Sequence, residues 1–279
     1  MIKYLAALFC FVSTTAFASR CGDGREPDNL TRAGGNGVCL AIDSFTPPGA
    51  AADAPPIIYL HGNSDGGEVN LTKGSISLLD WLKNLGRDNQ ATTVFLQRPG
   101  FRSVIGKSEG FEDRPTSYYN WLTDQHLEYI AGALKSLRSA YPKKPLLLAG
   151  HSGGALLTSL LIARYPQLAD AAVMSACPCD LRALRGMPAN EPLNVPDPYA
   201  EYVKIPNTFP VIALTGDKDV DTPPQMGQRF IELLQKKGAR NASFVLAAGH
   251  THFTIRPDSK ELPEAIGKMV TLLRQKKSS

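Results

Sequence analysis

Three features are absent from this sequence: a long apolar run, an extended basic run and an internal repeat. The apolar stretch at residues 2–12 is half as long as the ~20 residues that cross a bilayer, so stable membrane insertion is not expected. The 30 Lys and Arg residues oppose 26 Asp and Glu residues and form no run longer than a pair such as Lys276–Lys277, which argues against a nucleic-acid partner. No low-complexity linker divides the chain, and 43% of its residues are hydrophobic, which favours one globular domain.

The first residues are typical of a secretory signal. Lys3 supplies a basic charge at the start of the short apolar run, and Ala16 and Ala18 form a small-x-small cleavage site. We therefore expect removal of residues 1–18, a single mature domain over residues 19–279, and a secreted or periplasmic location.

Cysteine is scarce, and four cysteines remain after the signal: Cys21, Cys39, Cys177 and Cys179. An even number in an exported protein indicates disulfides. A Cys21–Cys39 bond would tie down the N-terminal segment, whereas Cys177 and Cys179 would form either a tight bridge or two free, buried thiols. The sequence leaves the three pairings open.

Short apolar runs alternate with helical patterns, which predicts an α/β fold with a parallel sheet wrapped by helices. The predicted strands are residues 38–45, 57–60, 92–96, 146–149, 171–174, 211–214 and 243–246, the first at an antiparallel edge. The predicted helices are residues 76–85, 121–141, 155–165, 225–234 and 262–273. Residues 179–210 are proline-rich and aperiodic, and form either a small lid or a surface connection.

A candidate nucleophile lies directly after the predicted strand 146–149. Residues 150–154 read Gly-His-Ser-Gly-Gly and are followed by a helical pattern, which is the strand-turn-helix setting of a nucleophile elbow. Small neighbours are needed because the serine sits in a sharp turn. Ser152 is therefore the predicted nucleophile.

Serine needs a histidine base that a carboxylate orients. In this strand-helix order the acid follows a later strand, where residues 215–224 offer Asp217, Asp219 and Asp221. We predict Asp219. After the last strand both His250 and His252 are candidates, and we predict His252, with His250 as the alternative base.

Acyl transfer also needs donors that face the developing oxyanion. Gly153, directly after the nucleophile, supplies one predicted backbone N–H. The second is assigned to Asn63, in the glycine-rich loop 61–67 that follows a buried strand.

With these motifs, the sequence resembles the α/β-hydrolase superfamily from about Val38 to Leu273. Residues 97–100 (Gln-Arg-Pro-Gly), Ser108 and residues 175–180 are similar to bacterial hydrolases of the prolyl-oligopeptidase and dienelactone-hydrolase branches. The resemblance implies a mostly parallel eight-stranded sheet with helices on both faces, and an acyl-enzyme mechanism with no metal or other cofactor. The N-terminal propeller of many prolyl-oligopeptidase relatives has no counterpart here, which favours a small ester or amide substrate.

Three functions follow, and the first is favoured: a carboxylic-ester hydrolase. The second is an aminopeptidase-like enzyme or amidase, which would bind a free amino terminus through an acidic residue such as Glu109, Glu112 or Asp113. The third is a binding protein on the same fold without catalysis. The oligomeric state is left open.

Overall fold

The molecule is built around an eight-stranded sheet. The computed structural model describes residues 20–35, 37–64, 67–71, 77–111, 122–188, 193–256 and 258–278. The predicted signal, the predicted starts of two helices at residues 76 and 121, and the candidates Glu112 and Asp113 lie outside these ranges. In the described residues, no helix is long and apolar enough to cross a membrane.

The sheet runs in the order β1-β2-β4-β3-β7-β8-β9-β10. Its strands are β1 (Arg32–Gly35), β2 (Val38–Phe45), β3 (Ile57–Leu60), β4 (Thr93–Leu96), β7 (Leu147–His151), β8 (Ala171–Ser175), β9 (Val211–Gly216) and β10 (Ala242–Ala247). The six strands β4, β3, β7, β8, β9 and β10 are parallel to one another in this order. Strand β2 pairs antiparallel with both β1 and β4. Two short strands, β5 (Arg102–Ser103) and β6 (Gly106–Lys107), pair apart from this sheet. The predicted mostly parallel eight-stranded sheet is confirmed.

Residues 38–45 form β2, which pairs antiparallel as predicted, but the prediction that they lie at the edge of the sheet was wrong, because β1 pairs with their outer side. Strand β1 is hard to see in the sequence because Gly34 and Gly35 have low strand propensity. Gly35 is nevertheless required, since a Cβ there would lie 2.4 Å from the Cα of Gly132 in the helix packed on it.

Helices cover both faces of the sheet. They are α1 (Leu78–Asn89), α2 (Asp124–Ala140), α3 (Gly153–Arg164), α4 (Leu181–Leu184), α5 (Pro198–Glu201), α6 (Pro224–Lys236) and α7 (Glu261–Ser278). The apolar sides of α1 and α7 pack on one face, and those of α2, α3 and α6 pack on the other. Helix α3 is apolar nearly all round and is buried on all sides, as its central position requires.

Side-chain caps fix the starts of two helices. Ser77 caps α1 by accepting a bond from the Asp80 N–H (3.0 Å), and Thr123 caps α2 by accepting from the His126 N–H (3.1 Å). Helices α1 and α7 continue beyond the predicted ends at residues 85 and 273, because the apolar periodicity of the sequence stops before the last turn of each helix.

The described part of the chain contains two disulfides, Cys21–Cys39 and Cys177–Cys179, with Cα separations of 4.9 and 5.1 Å. The first ties the N-terminal segment to β2. The second closes a small ring directly after β8, so the alternative of two free thiols there was wrong.

The segment 179–210 is anchored beside α3 and α6. Arg164 Nε donates to Glu201 at 2.7 Å, Arg182 pairs with Asp197, and Tyr199 Oη donates to the Met226 carbonyl at 2.9 Å. A cavity of about 840 Å³ lies between this segment, the start of α2 and the end of α3. A lid role for the segment remains a prediction.

Candidate active site

Ser152 occupies the tight turn between β7 and α3. Its φ of 54° is in the left-handed region, which places strain at this position. The Ser152 N–H donates to the Ser175 carbonyl at the end of β8 (2.9 Å), and the Ser152 carbonyl accepts from the Leu156 N–H (3.0 Å). These bonds hold the serine at the carboxyl edge of the sheet, before the unpaired N–H groups that begin α3.

The glycines around Ser152 are needed for close approach. A Cβ on Gly150 would lie 2.4 Å from the Gly154 carbonyl oxygen, and one on Gly154 would lie 2.2 Å from the Leu60 carbonyl oxygen. Both contacts are far too short for carbon and oxygen. The Gly-x-Ser-x-Gly spacing is therefore explained by the close approach of the two glycines to each other across the turn and by the packing of β3 against Gly154.

The structure brings Ser152, His252 and Asp219 together from three loops. His252 Nε2 lies 2.9 Å from Ser152 Oγ, and His252 Nδ1 lies 3.0 Å from Asp219 Oδ2. All three residues are buried. With the proton on Nδ1, the imidazole donates to the carboxylate and Nε2 is free to accept the serine proton.

His250, the alternative base, lies elsewhere. Its Nε2 is 3.8 Å from a carboxylate oxygen of Glu261. Its backbone carbonyl accepts from the Lys218 N–H (3.0 Å). The same carbonyl lies close to Gly216, and a Cβ on Gly216 would be 2.1 Å from the His250 oxygen. His250 therefore joins the acid and base loops through its backbone.

The other two acid candidates are also accounted for. Asp217 accepts a bond from the Gly249 N–H at 2.7 Å, which links the loop after β9 to the loop after β10. Asp221 is exposed, and its N–H donates to Asp219 Oδ1 at 3.0 Å. Only Asp219 of the three accepts a hydrogen bond from a histidine ring within the described residues.

Asp219 is held ionised. Burial opposes its charge, but the bonds from the His252 ring and from the Thr222 N–H and hydroxyl outweigh that effect and hold the pKa of the Asp219 carboxyl below its usual value.

His151, inside the elbow, is different: burial, with the nearby His252 and Arg256, lowers the pKa of its imidazole to about 3. His151 is therefore neutral, and its Nδ1 lies 3.2 Å from Ser175 Oγ.

Asn63 and Gly153 lie side by side, as expected for residues that share an oxyanion site. A Cβ on Gly153 would lie 2.4 Å from Asn63 Oδ1. The fully buried Arg98 donates through Nη1 to that same oxygen at 2.6 Å, and its guanidinium lies over the Phe101 ring. Because a guanidinium can only donate, this bond identifies the side-chain oxygen of Asn63. The Asn63 Nδ2 group is then a buried donor that has no acceptor among the described residues.

The replacement Asn63→Asp is expected to separate activity from stability. It puts a carboxylate beside Arg98, which favours folding, and beside the predicted oxyanion site, where a second negative charge opposes catalysis. We expect kcat for a short p-nitrophenyl ester to fall by about 100-fold, the usual cost of damaging an oxyanion site, with an unchanged or higher melting temperature. Asn63→Ala, which keeps the backbone N–H and adds no charge, is the control and loses less. An Asp variant with wild-type kcat contradicts the assignment.

Several polar residues named in the sequence have structural contacts. Ser108 Oγ donates to the Gln97 carbonyl (2.8 Å) and accepts from the Ala41 N–H (2.9 Å), so it joins β2 to the loop after β4. Glu109 accepts from the N–H groups of Gly22 (2.9 Å) and Cys39 (2.8 Å). Glu109 thus anchors the N-terminal segment, which makes it a poor candidate for binding a substrate amino group.

Asp219, Asp221 and His252 each bring one potential metal-ligand atom within 4.8 Å of the others. His252 Nδ1 and Asp219 Oδ2 already bond each other, and Asp219 also accepts from Thr222. The cluster therefore coincides with the acid and base of the Ser152 site.

Solved structures with this fold include hydrolases from several organisms. Among them are an esterase of Pyrococcus furiosus (16% identity, TM-score 0.63, covering 87% of this chain and 91% of that one) and the proline iminopeptidase of Mycobacterium smegmatis (13%, 0.63, 88% and 98%). Est1E of Butyrivibrio proteoclasticus, solved with ferulic acid bound, is also similar (17%, 0.56, 89% and 99%). No curated protein sequence matches the chain.

This fold and a match to a family model define the protein as an α/β serine hydrolase, as the sequence predicted. The model of the prolyl oligopeptidase family matches residues 127–275. Since this match spans more than half of the 279 residues, the chain belongs to the prolyl oligopeptidase family.

Proposed function

We propose that this protein is a secreted serine hydrolase that cleaves carboxylic esters through an acyl-enzyme intermediate, with Ser152, His252 and Asp219 as its triad. One observation carries the proposal: Ser152 Oγ lies 2.9 Å from His252 Nε2, whose other nitrogen lies 3.0 Å from Asp219. This is the contact that a weak nucleophile needs for activation by a base.

The reaction proceeds in two halves. Ser152 Oγ attacks the acyl carbon while His252 Nε2 takes its proton, and the carbonyl oxygen becomes negative facing the N–H groups of Gly153 and Asn63. The alcohol leaves with the proton from His252, and the acyl group stays on Ser152. Water then attacks the acyl carbon while His252 Nε2 takes its proton. The acid is released, and His252 returns that proton to Ser152 Oγ. Asp219 stabilises the imidazolium in both halves.

Export from the cytoplasm is part of the proposal. It is supported by the charged, apolar and small-residue order of residues 1–18 and by the two disulfides, which persist in oxidising compartments. Sequencing the N terminus of exported protein tests it, with Ser19 as the expected first residue.

A peptidase or amidase activity is the second candidate, because the same groups cleave amides and the chain belongs to a family named for an oligopeptidase. Among the acidic candidates for binding a substrate amino group, Glu109 is bonded to backbone of the N-terminal segment. This counts against Glu109 as the group that would bind a substrate amino terminus, and Glu112 and Asp113 lie outside the described residues. A binding protein without catalysis is disfavoured, because such proteins have no need to keep the Ser-His-Asp contacts.

Labelling and turnover test the proposal together. The mature protein should react with a fluorophosphonate probe at Ser152, and p-nitrophenyl esters of graded chain length should be cleaved faster than the matching amino-acyl p-nitroanilides. Faster cleavage of the anilides would favour the peptidase alternative, and absence of labelling would contradict the triad.

A further inference from the structure

We infer that Thr222 is a fourth, positioning member of the proposed Ser152 site, which holds the Asp219 carboxylate and the His252 ring through its hydroxyl. This inference rests on the proposed function and adds to it a residue outside the Ser-His-Asp triad. It is carried by the contacts of one buried side chain in the loop between β9 and α6.

Thr222 contacts both the acid and the base. Its Oγ1 lies 2.8 Å from Asp219 Oδ2 and 3.0 Å from His252 Nδ1, and its N–H donates to Asp219 Oδ1 at 2.8 Å. Both carboxylate oxygens of Asp219 are thus bonded by Thr222, with Oδ2 also accepting from His252. The side chain of Thr222 is 2% exposed, so water does not compete for these bonds.

The proton count assigns a direction to each bond. His252 Nδ1 must carry a proton if Nε2 is to accept from Ser152, so Nδ1–H donates to Asp219 and faces a lone pair of the Thr222 hydroxyl. The single proton of that hydroxyl then has Asp219 Oδ2 as its nearest acceptor, at 2.8 Å. A hydroxyl can accept and donate at once, whereas a methyl group in its place could do neither.

A further contact links Thr222 to the nucleophile. Thr222 Oγ1 also lies 3.2 Å from the Ala176 carbonyl oxygen, in the residue that follows β8. The residue before it, Ser175, accepts the N–H of Ser152. The end of β8 therefore contacts both Ser152 and the loop that carries Asp219. The side chain of Thr222 makes the contact with that loop.

Replacement by valine tests the hydroxyl, because Thr222→Val keeps the shape and the backbone N–H bond to Asp219. We expect kcat for a p-nitrophenyl ester and the second-order rate of fluorophosphonate reaction at Ser152 to fall by about tenfold to a hundredfold, as for loss of a hydrogen bond to a buried charged group. KM should change less than kcat, because Thr222 acts through Asp219 and His252. Thr222→Ser restores the hydroxyl and should react at close to the wild-type rate.

Melting temperatures show whether the variants fold. If the valine variant does not fold, Thr222→Ser and Thr222→Ala form a second pair that differs only in the hydroxyl. Wild-type reaction rates in the valine or alanine variant overturn the inference, as does a serine variant as slow as alanine. Failure of the wild-type protein to label would instead overturn the proposed function itself, so the two failures are distinguishable.

Discussion

The replacement Ser152→Ala is expected to lower kcat for a short p-nitrophenyl ester by about 10⁵-fold or more, the size seen when a serine hydrolase loses its nucleophile. The remaining groups can still bind the ester and polarise its carbonyl, but no side chain is left at 2.9 Å from His252 Nε2 to attack it. Fluorophosphonate labelling should disappear completely.

Folding should survive this replacement. The only side-chain hydrogen bond of Ser152 that the structure shows is to His252, and its backbone bonds to Ser175 and Leu156 do not depend on the hydroxyl. Melting temperature and initial rates should be measured together. Ser159→Ala is a matched control, because Ser159 is also buried but lies within α3 and donates to the Leu156 carbonyl. Unchanged turnover in the Ser152 variant would place the nucleophile elsewhere.

The pair His252→Gln and His250→Gln should show an equally large contrast. The first removes the imidazole between Ser152 and Asp219, and kcat should fall by about 10⁵-fold, since a nucleophile and its base fail as a unit. The second leaves the backbone carbonyl of His250 bonded to Lys218 and removes only the side chain near Glu261, so kcat should stay within about threefold of wild type.

This pair decides between two histidines that are two residues apart. A pH profile of kcat/KM should be recorded for the His250 variant, and its acidic limb should match that of the wild-type protein if His252 is the base. Loss of activity in the His250 variant with retention in the His252 variant would reverse the assignment.

Much of the fold was visible in the chain because its pattern is local. Buried parallel strands have short apolar runs, and the runs at 57–60, 211–214 and 243–246 lie within observed strands. Strand β1 was missed because its glycines serve contact with α2, which no local pattern encodes.

The candidate site was likewise recognisable only in part from the sequence. The elbow around Ser152 was recognisable because steric crowding leaves only glycine at certain neighbouring positions. Arg98 and Thr222 were not singled out, although Arg98 belongs to the Gln-Arg-Pro-Gly motif and Thr222 comes three residues after Asp219. Their relevance depends on contacts with Asn63, His252 and Asp219, two of which join residues more than 25 positions apart.

By itself the sequence determined the α/β class, the serine in its turn and the loops in which an acid and a base must be sought, since strand periodicity and glycine sterics act over a few neighbouring residues. Only the tertiary structure placed His252, and not His250, beside Ser152, and placed Arg98 beside Asn63. These placements depend on which side chains face one another at the carboxyl edge of the sheet. The packing of strands that are distant in sequence sets that arrangement.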